Sequence, residues 1–208
     1  MENREFIELV AGPAQKAYAK YLIFPSLTIA QAILESGWGK YVPFNPATGH
    51  SSYNLFGIKG KGPAGSVLVS SKEFENGKEV VRTSEFKAYF SYDQSIEDHS
   101  LFLLKPTYKK VLVAATPFEA AQALETAGYA TDPQYAEKLT RLIQQYQLTQ
   151  FDTPLSEIPA WKIEIGKRAL KEGIITSPEW LSKLDEPMPV WAVLSVALRL
   201  LDKTRNVP

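Results

Sequence analysis

The sequence predicts an α+β fold, mainly α, with a helical lobe, a small β-hairpin lobe and a short helical C-terminal module. Three observations predict it. Only two neighbouring runs, Ser66–Phe74 and Glu79–Phe86, read as strands, and Asn76-Gly77 joins them in the strongest short hairpin signal. Most other segments carry apolar residues at helical spacing. The run DTPLSEIP at 152–159 reads as a linker, which divides the chain into a domain at 1–152 and a module at 153–208.

In chain order, residues 3–24 read as a helix with Phe6, Leu9, Val10, Ala14, Ala17 and Tyr18 on one side. Pro13 is expected to break or kink it, because proline lacks the N–H and clashes with the preceding turn. A second helix starts at Pro25, a good first-turn residue, and stops at Gly37, a natural left-handed terminator. Its apolar residues Leu27, Ala30, Ile33 and Leu34 point to a core. Residues 40–65, rich in Pro, Gly, Asn and Ser, read as a long ordered loop of the kind that carries function inside a compact domain.

A two-residue hairpin loop in a type I′ turn pairs Glu75 with Lys78, and so Glu73 with Val80. Beyond it, Ser95 with Asp98 resembles a capping box. Thr116, Pro117 and Glu119 give a stronger helix start, and Gly128 a stop. Asp132-Pro133 opens the next helix, on which Tyr135, Leu139, Leu142, Ile143 and Tyr146 recur at helical spacing. That stripe makes Tyr135 a core residue. Short helices are expected around 160–172, 178–184 and 189–203. The last is apolar over much of its surface, a pattern that normally means burial. About 50 residues barely sustain a core of their own, so the module packs on the first domain, self-associates or binds a ligand.

Composition narrows the chemistry. The chain has 208 residues, 45% hydrophobic and 22% charged, enough to build a core without metal or disulfide support. With 23 basic and 23 acidic residues and no basic block, it shows no nucleic-acid footprint. It has no run of membrane-spanning length, and its first residues, MENREFIELV, do not form a signal peptide. There are no cysteines, which excludes disulfides, thiolate catalysis and Cys-based zinc sites. The two histidines, His50 and His99, lack zinc-protease spacing, and His99 next to Asp98 on a helix does not make a triad. No phosphate loop or dinucleotide fingerprint appears, so no cofactor and no metal are expected.

One carboxylate stands out. The helix that ends Ala30-Gln31-Ala32-Ile33-Leu34-Glu35-Ser36-Gly37-Trp38 puts Glu35 on its last turn, beside the negative pole of the helix. A flanking Trp38 and an apolar wall add desolvation. Both raise a carboxyl pKa, as a general acid requires near neutral pH. The alternative is an ordinary exposed glutamate at a helix end.

The stretch AQAILESGWG is followed by NLFGIKG, an SKEF and NGK hairpin, FKAYFSYDQSIEDHSLFL and AGYATDPQYAEKL. In that order these resemble the glucosaminidase family of bacterial autolysins and flagellar peptidoglycan hydrolases, over roughly residues 3–151. The resemblance implies a lysozyme-like domain that hydrolyses the β-1,4 bond between N-acetylglucosamine and N-acetylmuramic acid, on the reducing side of N-acetylglucosamine. It implies Glu35 as proton donor and Glu73 of the hairpin as second acid. It also implies Tyr129 as a site tyrosine that holds the sugar acetamido group or steadies developing positive charge.

Each of these has a plainer reading. Glu73 is otherwise a surface charge with Arg82 on its diagonal and Glu75, Glu79 and Glu85 as competitors. Tyr129 is otherwise an aromatic that closes a helix turn. The resemblance lays Asn54, Phe56, Gly57 and Lys59 along the cleft floor. There Asn54 binds sugar or holds the loop, and Phe56 binds sugar or packs. Trp38 is a stacking platform or a wall for Glu35. The implied partner is bacterial cell-wall glycan, with no nucleic acid and no membrane insertion, and with self-association through the C-terminal helices as an option. The implied place of action is the extracellular cell wall, by an export route the sequence leaves open. The rivals are a muramidase or lytic transglycosylase on the same fold, and an inactive wall-binding module.

Overall fold

The computed structural model describes residues 2–75, 78–152, 160–175, 180, 187 and 190–205, with backbone alone at 71–75, 78–81, 160–161, 192, 199 and 202–205. The elements are α1 (Asn3–Tyr21), α2 (Pro25–Ser36), β1 (Ser66–Glu75), β2 (Lys78–Lys87), α3 (Tyr92–Leu103), α4 (Lys109–Leu112), α5 (Pro117–Thr126), α6 (Tyr135–Gln145), α7 (Ala160–Lys171) and α8 (Val190–Arg205). Short 3₁₀ turns lie at Pro106–Tyr108 and Leu148–Phe151. The predicted α+β, mainly α class holds. None of the described helices is long and apolar enough to cross a membrane.

The core wraps around α2. This helix is apolar almost all round, and every residue from Pro25 to Ile33 is buried, as expected for a helix surrounded by partners. It packs on α1, α5, α6 and the turn at Leu148–Phe151. Its two ends are pinned. At the start, Asp152 accepts from the Ser26 backbone N–H (2.8 Å) and the Ser26 hydroxyl (2.8 Å), which sets a carboxylate at the positive pole. At the end, Gly37 turns left-handed (φ 54°), and Ser36 Oγ donates to the Ala32 carbonyl and accepts from the Gly39 N–H. The residue between these clamps that faces out is Glu35.

α1 differs from expectation. It runs unbroken through Pro13. The carbonyl that Pro13 leaves without its usual donor is that of Leu9, an exposed residue. The preceding Gly12 leaves open space beside the proline. A reciprocal capping box of Glu2 and Glu5 begins the helix.

The hairpin has the predicted register, with Glu75 opposite Lys78 and Glu73 opposite Val80. Its turn, Asn76-Gly77, lies outside the described residues, as do the side chains of Glu73, Glu75 and Glu79. The loop before the hairpin is ordered by main-chain bonds. Ser52 N–H donates to Pro43 O, Tyr89 N–H to Ser52 O, and Ala64 N–H to Ala88 O, each within 3.0 Å. The end of β2 is fastened to α3 by Lys87 and Tyr89, both bonded to the Asp98 carboxylate at 2.8 Å.

α3 starts earlier than the sequence suggested. Ser91, not Ser95, caps it and accepts from the Gln94 N–H. Gln94 answers by accepting from the Phe90 N–H. Ser95 is instead buried mid-helix, where its hydroxyl accepts from the Leu55 N–H and ties the loop down. The expected start of α5 is observed, with Thr116 capping the Glu119 N–H.

In the C-terminal part, α7 adds Ile163 and Leu170 to the same apolar cluster as α1 and α2, and its Lys167 ammonium lies 4.2 Å from the Phe24 ring centre. The expected burial of the last helix is corrected. On α8, Trp191 is 71% exposed and Leu198 60%, and Val190, Val193 and Leu194 are also exposed. The helix expected at 178–184 lies outside the described residues, Trp180 aside.

Candidate active site

Glu35, on the last turn of α2, is exposed as a residue, while its carboxyl group is partly withdrawn from solvent beside Tyr135. The Tyr135 hydroxyl donates to Glu35 Oε1 across 2.7 Å. The Tyr135 oxygen in turn accepts from Gln31 Nε2 at 3.1 Å. Gln31 lies one helical turn before Glu35, so both project from the same side of α2. Because Gln31 supplies the hydrogen to Tyr135, the Tyr135 proton is committed to the carboxyl oxygen. Glu35 Oε1 is therefore an acceptor, and a proton on this carboxyl sits on Oε2.

Desolvation raises the Glu35 pKa above the usual carboxylate range, and the Tyr135 bond offsets part of that rise by favouring the ionised form. Among the described residues no cation pairs with Glu35. The group is held and desolvated without being neutralised, which is the condition a general acid needs.

Aromatic rings continue away from the acid. Tyr135, the first residue of α6, stacks on Tyr129 with ring centres 5.6 Å apart. Tyr129 follows the left-handed Gly128 (φ 72°) between α5 and α6. Burial pushes its phenol pKa up, and the negative charge at Glu35 adds to the rise, which puts the two groups within electrostatic reach. The Tyr129 hydroxyl lies 3.2 Å from His99 Nε2, and His99 lies face to face with Phe56 at 3.8 Å. One chain of contacts thus links the end of α2, the start of α6, the middle of α3 and the loop before the hairpin.

The structure sorts the residues singled out from sequence. It brings Glu35 and Tyr129 together. Asn54 is 1% exposed and clamps the loop: Nδ2 donates to the carbonyls of Ile58 (2.9 Å) and Lys87 (3.0 Å), and Oδ1 accepts from the Ile58 N–H (3.1 Å). Phe56 is buried under His99. Gly57 (φ 61°) and Lys59 are exposed on the same loop, and the Lys59 backbone bridges to Phe86 of β2.

Trp38 sits edge-on to Phe6 (6.0 Å) and Tyr146 (4.9 Å), on the side where α1 meets the end of α6. Its backbone is left-handed (φ 64°), and the turn after Gly37 carries its ring to that side. Tyr135, read as a core residue, is the ring whose hydroxyl meets the acid. It is both: 3% exposed, with its hydroxyl on the acid. Gln31 and His99 were also missed. The available signal was a polar side chain on an otherwise apolar helix face, which must find a partner when buried.

The profile of the glucosaminidase family, described as mannosyl-glycoprotein endo-β-N-acetylglucosaminidase, matches residues 11–148. The chain is 40% identical over 157 residues to the exo-glucosaminidase LytG of Bacillus subtilis, covering 73% of this chain and 54% of that protein. It is 41% identical over 155 residues to a probable N-acetylmuramidase of Lactococcus lactis, covering 71% of this chain and 34% of that protein. The chain thus spans about half or less of the curated relatives it matches. Among solved structures, the truncated glycoside hydrolase domain of Salmonella typhimurium FlgJ superposes with a TM-score of 0.62 at 38% identity, over 70% of this chain and 98% of that one. The catalytic domain of the Listeria monocytogenes autolysin Auto superposes with a TM-score of 0.63 at 35% identity, over 72% and 87%. With its profile matched over most of the chain and its fold shared with these lysozyme-like domains, this protein belongs to the glucosaminidase family of glycoside hydrolases.

Proposed function

We propose that the chain hydrolyses peptidoglycan between N-acetylglucosamine and N-acetylmuramic acid, on the reducing side of N-acetylglucosamine, with Glu35 as general acid. The observation that carries this reading is the Glu35 carboxyl itself: desolvated, unpaired with any described cation, and fixed by Tyr135 on one oxygen only. In the first step Glu35 Oε2 gives its proton to the glycosidic oxygen as the bond to the anomeric carbon breaks. The leaving muramic acid residue departs as an alcohol.

Two routes complete the reaction. Glu73 guides a water to the anomeric carbon, or the acetamido oxygen attacks that carbon with Tyr129 assisting and water then opens the ring. Glu73→Gln separates them, with turnover almost abolished on the first route and reduced far less on the second. Gly57 and Lys59, exposed on the clamped loop, are the sugar contacts this reading adds.

The catalytic unit of this reading is residues 1–152. Beyond it, α7 packs on this unit, and the exposed α8 serves self-association, readable as mass by light scattering. The place of action is the extracellular cell wall, which the names of the similar hydrolases support.

The test is mass spectrometry of muropeptides released from purified wall by the wild-type chain and by Glu35→Gln. Reducing N-acetylglucosamine ends, absent with Glu35→Gln, are the expected result. Reducing or anhydro-muramic ends would replace this reading by a muramidase or lytic transglycosylase, an alternative kept open by the similarity to a probable N-acetylmuramidase. No released product would leave a wall-binding module.

A further inference from the structure

His99 is the most deeply buried ionisable group of the site, and the mechanism above makes no use of it. It is 0% exposed, its ring stacks on Phe56, and its Nε2 lies 3.2 Å from the Tyr129 hydroxyl. Its Nδ1 is also buried and has no hydrogen-bond partner among the described residues. Burial pushes its pKa down to about 3, against the opposing pull of the adjacent Asp98. That carboxylate is occupied by Lys87 and Tyr89. The imidazole is therefore neutral and carries one proton on one of two nitrogens.

The two arrangements differ in what they leave unsatisfied. With the proton on Nδ1, a buried N–H has no acceptor. Nε2 must then accept from Tyr129, which turns the tyrosine proton into the core. With the proton on Nε2, only a lone pair at Nδ1 stays unused. Nε2–H then donates to the Tyr129 oxygen. A buried orphan N–H is the rarer defect in proteins, since an unused acceptor position is more easily tolerated. The second arrangement is the favoured one.

We propose that His99 is a positioning residue that donates from Nε2 to the Tyr129 oxygen and so keeps the Tyr129 proton free for a partner outside the core. The inference rests on the reading that Tyr129 faces the substrate. It deepens that reading by fixing the polarity of the contact. A phenol whose oxygen already accepts a hydrogen bond offers its proton outward. Its partner on the sugar is then an acceptor oxygen, such as the carbonyl of an acetamido group, and not the amide N–H. Holding the acetamido carbonyl is favoured over steadying positive charge with a phenol lone pair. Phe56 contributes by fixing the plane of the His99 ring.

The chain has two histidines, so a His50→Gln protein labelled in nitrogen leaves His99 as the single imidazole in the spectrum. The expected result is an Nε2–H tautomer that does not titrate between about pH 5 and 8. A proton on Nδ1, or an imidazolium, would overturn the proposal. A kinetic cycle on purified wall reads the function. His99→Phe keeps a ring for the Phe56 stack and removes the donor. It should lose roughly ten-fold or more in turnover, as a change of about 1.4 kcal/mol or more would give. His99→Phe combined with Tyr129→Phe should be no slower than Tyr129→Phe alone, because the two residues act as one unit. Additive losses would overturn the proposal. Full turnover in Tyr129→Phe would sink the reading of Tyr129 and the role of His99 with it. An Nδ1–H tautomer beside an inactive Tyr129→Phe would sink the His99 assignment alone. If His99→Phe does not fold, the tautomer of the native ring decides.

Discussion

Tyr135 donates to Glu35 from a position 100 residues later in the chain, and its hydroxyl is oriented by Gln31, which stands four residues before the acid. The bond has one effect on geometry and an opposite one on acidity. It fixes the carboxyl plane, and it also favours the ionised form that a proton donor must avoid. Tyr135→Phe keeps the ring and removes the bond. The carboxyl then loses a donor, so its pKa rises further, and the alkaline limb of the pH profile of wall lysis moves to higher pH. Turnover at the optimum falls, by about ten-fold, because the acid is less well held. A pH–rate profile of turbidity loss checks both. An alkaline limb that moves down would contradict the assignment of that limb to Glu35.

Glu35→Gln tests the acid from the side of stability as well as rate. A positioned general acid contributes on the order of 100- to 10,000-fold, so wall lysis should fall at least about 100-fold. The stability effect has a definite sign. The folded carboxyl has a raised pKa, so the native state binds the proton more tightly than the unfolded chain does. The wild-type protein is therefore favoured at acid pH, and this contribution is lost as pH rises from the unfolded pKa through the folded one. Glutamine has no such dependence. Urea midpoints across acid to neutral pH should show Glu35→Gln gaining on the wild type as pH rises. The reverse trend would mean that the native carboxyl is stabilised in its charged form.

The sequence made some of this legible and hid the rest for physical reasons. Local signals were reliable where the backbone itself imposes the chemistry. Gly37 ends α2, Thr116 begins α5, and the hairpin register follows from turn length. Signals that depend on the partner were misread. Ser95 looks like a cap by spacing, but Leu55, 40 residues away, claims its hydroxyl. Trp38 adjoins the acid in sequence, and the left-handed turn carries its ring to Phe6 and Tyr146. Tyr135 lies on the apolar stripe as predicted, but only the α2–α6 packing shows where its hydroxyl ends.

Asn54 holds the loop between α2 and the hairpin, and its removal should act on stability before it acts on sugar binding. Asn54→Leu is close in size and deletes three hydrogen bonds. The Ile58 carbonyl keeps a bond from the Lys87 N–H at 2.9 Å. The Lys87 carbonyl and the Ile58 N–H are left without these partners. Two such groups at about 1–3 kcal/mol each make a loss of roughly 2–6 kcal/mol, toward the lower end where water reaches them. Chemical denaturation checks the figure. An effect below about 0.5 kcal/mol would mean that the loop holds without the clamp.

The C-terminal helices should separate into one that supports the domain and one that does not. Leu170 of α7 is 0% exposed within the cluster built by α1 and α2. Leu170→Ala removes buried methyl groups and opens a cavity, at about 2–5 kcal/mol for a leucine of this kind. Leu198 of α8 is 60% exposed, so Leu198→Ser removes little buried area and should fall within about 0.5 kcal/mol. Both variants belong in thermal melts beside the wild type at matched protein concentrations, repeated over a dilution series, because self-association would add stability by mass action. A large loss in Leu198→Ser that shrinks when wild type and variant are diluted together would show that α8 is covered by a second copy. A large loss that ignores dilution would show that it is covered within the chain. A silent Leu170→Ala would remove α7 from the folding unit altogether.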